Sequence, residues 1–139
     1  MYLKTPGSSV HGSQALTHVF RVSVVPRFLH EEPLTREYTF AYRVRIANES
    51  DVSATLLTRY WLIIDAFGRR KEVRGEGVIG VQPRLSPGDA HEYESFCPLS
   101  TTWGTMEGSY TFQTDDDRTL EIAIARFYLV CPRPERSPP

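Results

Sequence analysis

The chain is poor in cysteine: Cys97 and Cys131 are the two in its 139 residues. They lie far apart, and neither sits in a CxxC or beside a histidine at zinc spacing, so no disulfide framework or structural zinc motif is written into the sequence. Two reduced thiols buried at strand ends are expected instead. Long apolar runs are also missing. The strongest, residues 60–64 and 122–124, fall far below the roughly 20 residues needed to cross a bilayer, which excludes a channel or pump built from spanning helices. Charge of one sign is lacking as well, with 16 Lys and Arg against 17 Asp and Glu. No overall field draws the protein to nucleic acid or an acidic membrane. The N-terminal MYLKTPGSSV has no apolar stretch behind Lys4, unlike a secretory signal, so a cytoplasmic location is expected. His11, His18, His30 and His91 are scattered without metal-binding spacing, and no GxSxG turn marks a nucleophile.

A sustained 3.6-residue apolar period is absent too, and what replaces it is alternation. His18, Phe20, Val22 and Val24 alternate with other residues, as a strand requires. Tyr38, Phe40, Tyr42, Val44 and Ile46 put five large side chains on one face, opposite Thr39, Arg43 and Arg45. Residues 56–65 form a more continuous apolar run, expected to be buried on both faces, and end at a Gly68 hairpin signal. Residues 69–74 read as a charged edge strand, and 74–89, with four glycines and two prolines, as a long shaped loop. Residues 91–96, 106–114 and 120–130 complete the set. About seven strands without crossover helices predict an all-β, antiparallel β-sandwich, immunoglobulin-like or fibronectin type III-like. The proposed organisation is a flexible tail over 1–16, one domain over 17–132 and a flexible Pro-rich tail over 133–139.

Gly75, Gly77 and Gly80 fit GxGxxG after a strand, but a dinucleotide-binding loop must open into a helix, and Pro83 and Pro87 forbid one. A weaker expectation survives: successive loop amides could cup an anion such as pyrophosphate, with Arg74 and Arg84 as charge partners and Mg²⁺ entering only with a phosphate ligand. The structural alternative is that these glycines supply bulges and a tight crossing. Asp115, Asp116 and Asp117 read as a solvated hairpin tip rather than a metal site. Among the aromatics, Trp103 stands apart, because it lies in a turn region where an exposed indole would anchor a protein partner.

Three segments in order carry a family likeness: Arg59 through Asp65, then Arg74 through Gly80 with Gln82, Pro83, Pro87 and Gly88, then Gly104 through Tyr110. Together they resemble the ApaG family over residues 18–132. The resemblance implies a fibronectin- or immunoglobulin-like sandwich, found alone in bacteria and as a module in eukaryotic F-box proteins and a polymerase-interacting protein. It further implies a link to cobalt and magnesium resistance, indirect in a chain without a membrane span. A pyrophosphate or nucleotide role suggested for the family's glycine motif falls on Gly75, Gly77 and Gly80. One departure is visible: residues 122–127 lack the proline expected of the family's last strand. The resulting expectation is a non-enzymatic module, monomer or homodimer, that binds an unidentified protein partner. The alternatives are nucleotide or pyrophosphate sensing and, more weakly, phosphoanhydride hydrolysis.

Overall fold

A computed structural model of the chain describes residues 10–132. Among them there is no helix, and nine strands follow one another: β1 (Ser13–Thr17), β2 (Phe20–Glu32), β3 (Glu37–Asn48), β4 (Ala54–Asp65), β5 (Arg70–Glu76), β6 (Arg84–Leu85), β7 (Ala90–Leu99), β8 (Trp103–Thr114) and β9 (Thr119–Val130). One antiparallel sheet runs β1-β2-β3-β7 and the other β5-β4-β8-β9, with the two-residue β6 added to β4. The inner faces close on a core of Phe20, Phe40, Ile46, Leu56, Tyr110, Phe112 and Phe127, each buried. Alternating apolar residues on each strand thus make a two-layer β-sandwich.

The alternation in β3 is as expected: Phe40, Tyr42, Val44 and Ile46 are buried, while Arg43 and Arg45 face water. Several expectations need correction. The strand count is nine rather than about seven, because β1 and β6 are too short and too polar to show in an apolar pattern. Residues 13–16, assigned to a flexible tail, form β1 together with Thr17 and pair with β2. Tail residues 1–9 and 133–139 lie outside the described residues. His18 is not a strand residue. It and Val19 have φ of 48° and 63° and form the two-residue turn joining β1 to β2, the left-handed pair that such hairpins require.

β4 is not buried on both faces. Leu56 and Trp61 face the core, while Tyr60, Leu62 and Ile64 are half-buried on the outer side. A bulge between Leu56 and Thr58 explains the pattern: one extra residue, Leu57, switches the inward set from Ala54 and Leu56 to Arg59, Trp61 and Ile63. A second irregularity lies between Met106 and Gly108, opposite the segment of β9 that lacks the expected proline. There the strand continues unbroken, and Arg126 donates to Glu107 at 2.8 Å.

Candidate functional site

The glycine loop is held by its own backbone. Gly77 N donates to the carbonyl of the bulge residue Leu57 at 2.8 Å, and Val78 and Val81 exchange both N–H···O bonds at 2.8 and 3.1 Å. Between those valines, Ile79 and Gly80 have φ of 46° and 75°, a second two-residue left-handed turn. Gly77, at φ +61°, permits a close crossing, since a Cβ there would stand 2.3 Å from the Val81 carbonyl oxygen. Three of the amides that were expected to cup an anion are therefore donated to carbonyls. The two flanking cations are engaged too: Arg74 lies 4.3 Å over the Tyr60 ring on the outer face, and Arg84 pairs with Asp115.

Gly75 does something else. A Cβ at this position would meet the Arg59 guanidinium at 2.7 Å, so the missing side chain is the space the guanidinium fills. Arg59 Nη1 donates to the carbonyls of Glu76 and Gly77 at 2.9 and 3.1 Å. The loop thus seats and grips an arginine that the β4 bulge has turned to the inner face. Sequence reading paired Arg74 and Arg84 with the loop and missed Arg59 as its partner. Its signal, a bulge in an apolar strand, has no residue-type signature.

Arg59 lines a cleft of about 480 Å³ between the β5 edge of one sheet and the β7 edge of the other. Buried Tyr42, Trp61 and Met106 form its floor, and Ser95 and Cys97 of β7 one wall. Arg69, Arg70 and Lys71 join Arg59 as cationic lining. Arg69 is occupied, with Nε donating to Asp65 at 2.6 Å and Nη2 to Ser100 at 3.0 Å. Burial tends to raise the Asp65 carboxyl, but the backbone amides of Arg69 and Phe67 and the Arg69 side chain outweigh it and hold it below its ordinary range. The side chains of Arg70 and Lys71 have no hydrogen bond or ion pair among the described residues. Burial pushes the Cys97 thiol up to about 11, against the pull of Lys71. Behind the cleft, the hydroxyls of Tyr93 and Tyr110 bond to each other in the core, and burial raises both.

Trp103 is the first residue of β8, opposite Val130, and is 45% exposed. It borders an open groove of about 670 Å³ with Phe28, Tyr38 and Val130. The other aromatics divide: Trp61 and Tyr110 fill the core, whereas Tyr128 is exposed. At the β8–β9 tip, Asp115 pairs with Arg84 and Asp116 with Arg118. Among the described residues no group of three His, Cys, Asp or Glu side chains is placed to hold a metal. Both cysteines are free, Cys97 buried and Cys131 half-buried.

Comparison with known proteins places these features in a family. The ApaG domain model matches residues 29–114. Protein ApaG of Allorhizobium ampelinum is 47% identical over 121 residues, covering 86% of this chain and 93% of that protein. Protein ApaG of Anaeromyxobacter dehalogenans is 45% identical over 86% of this chain and 96% of its own length. A crystal structure of the putative ApaA protein from Bordetella pertussis superposes with a TM-score of 0.79 at 42% identity, covering 86% of this chain and 98% of that one.

Proposed function

This chain belongs to the ApaG domain family, and we propose that it is a non-enzymatic binding module that meets a protein partner at the Trp103 end of the sandwich. The observation that carries this reading is Trp103 itself, 45% exposed beside an open groove walled by Phe28, Tyr38 and Val130. An exposed indole bordered by apolar side chains gains free energy only when something covers it, and tryptophan is enriched at the energetic centres of protein interfaces. The free Cys97 and Cys131 suit a reducing compartment, which supports a cytoplasmic setting. No helix among the described residues is long and apolar enough to cross a membrane.

Nucleotide or pyrophosphate bound on the glycine-loop backbone is the weaker reading, because the amides of Gly77, Val78 and Val81 already donate to carbonyls. The test is site-specific photo-crosslinking in cells, with the crosslinking residue at position 103 or, as a control, at exposed position 121. One discrete adduct from 103, absent from 121, is expected. A purified partner should then lose about tenfold or more in affinity to Trp103→Ala, a hot-spot-sized effect. Equal adducts from both positions, or an unaffected Trp103→Ala complex, would remove the claim.

A further inference from the structure

We propose that the cleft between β5 and β7 is a binding site for a small phosphate monoester carrying a flat ring, held by Arg59 and Lys71. The site lies on the flank opened by the two edge strands and does not use Trp103.

The first support is the state of Arg59. Its Nη1 hydrogens are donated to the carbonyls of Glu76 and Gly77, while its Nε and Nη2 have no partner among the described residues. Those two nitrogens are one edge of the guanidinium, the edge that binds two oxygens of a phosphate or carboxylate in parallel. A half-buried arginine fixed by one edge, with the other unspent, has already lost the rotamer freedom that binding would otherwise cost.

The second is the charge balance. Lys71 and Arg70 also line the cleft and are unpaired, and the one carboxylate in the lining, Asp65, is taken by Arg69. Arg70 is registered opposite Ile64 on the outer face, which leaves Arg59 and Lys71 as the two inward, uncompensated cations. Two such charges favour a dianion over a monoanion, and a phosphate monoester carries nearly two negative charges at neutral pH.

The third is the shape of the remainder. A volume of about 480 Å³ suits a small molecule. Its apolar lining is Trp61, Ile63 and Met106 at depth, with Phe96, 58% exposed, at the rim. An aromatic group can rest there while the phosphate faces Arg59 and Lys71.

The experiment uses the full chain carrying Trp103→Phe, which leaves Trp61 as the sole tryptophan. It is titrated with phenyl phosphate, inorganic phosphate and benzoate at about 0.15 M salt, where exposed charges are largely screened beyond about 8 Å. Trp61 fluorescence and the amide signals of Ser95 and Cys97 are followed. Phenyl phosphate should saturate and bind about tenfold more tightly than either comparator. Lys71→Gln and Arg59→Lys should each weaken it about tenfold, the scale of one charge-assisted contact, and Arg84→Gln should leave it unchanged. Lys71 is exposed, so its variant keeps the test valid should Arg59→Lys fail to fold. No saturable response to phenyl phosphate, full binding by Lys71→Gln, or equal loss in Arg84→Gln would overturn the proposal.

Discussion

The two flanks of the sandwich are built from the same two sheets and are finished differently. On one flank the edge strands β1 and β9 are stitched together: Ser13 Oγ donates to the Ala125 carbonyl at 2.6 Å, Ala123 N donates to Thr17 Oγ1 at 3.3 Å, and Tyr128 N donates to the His11 carbonyl at 2.9 Å. On the other, β5 and β7 border a cleft lined by Arg59, Arg70 and Lys71. Short polar side chains let two edges approach and satisfy each other. Long cations at inward positions, Arg59 on β4 and Lys71 on β5, hold a space where apolar residues would otherwise meet. An edge can be protected by pairing or by charge, and this fold uses one device on each side.

The largest expected effect falls on the loop that supports the open flank. Gly77→Val would drive a Cβ into the Val81 carbonyl at a left-handed position, and should cost about 3 kcal/mol or more in urea unfolding. Gly80→Ala, with φ of +75° but open space around it, should cost about 1 kcal/mol. Equal costs would show that the loop is not tightly packed against its own crossing.

The next effect is a pH dependence centred on the cleft wall. The Cys97 thiol titrates near 9.0 when unfolded and at about 11 in the folded chain. The native state therefore keeps its proton longer, and the stability tied to that proton is complete below pH 9 and lost as pH rises from 9 through 11. The loss should be roughly 2 kcal/mol. Burial raises Tyr42, Tyr93 and Tyr110 in the same direction, so the readout is the difference between the natural chain and Cys97→Ser. Identical alkaline slopes would mean that water reaches the thiol freely. The smallest effect belongs to the stitched flank: Ser13→Ala removes one hydrogen bond and should lower stability by about 1 kcal/mol, measured by thermal unfolding. A loss near zero would leave that flank closed by packing alone.

Much of this was legible in the residues. The run from Tyr38 to Ile46 named its buried face correctly because its pairing with β7 is unbroken and the one shift against β2, between Phe28 and His30, adds its extra residue to β2 and leaves the count along β3 intact. The exposure of Trp103 could be anticipated from its polar and glycine neighbours. Two kinds of feature were hidden. β1, Ser-Gln-Ala-Leu-Thr, owes its strand geometry to the neighbour it pairs with, and its own composition says loop. Arg59 was hidden by arithmetic. Counting by twos from Ala54 and Leu56 puts Thr58 and Tyr60 inside, and only the bulge at Leu57 reverses the count. The glycine motif was seen at once and its purpose was not, because Gly75 answers to a side chain 16 positions earlier in the chain.

The central claim is that the first half of the glycine motif seats Arg59, and the guanidinium nitrogens of Arg59 report on it directly. In arginine-selective ¹⁵N NMR, the Arg59 Nη1 hydrogens should be resolved and slow to exchange in the natural chain. In a folded Gly75→Ala variant, whose Cβ would occupy the guanidinium's place, they should collapse into the averaged signal of a free arginine, with the amide spectrum of β8 and β9 retained. Free averaging of Arg59 in the natural chain, or an unchanged Arg59 signal in Gly75→Ala, would contradict the account.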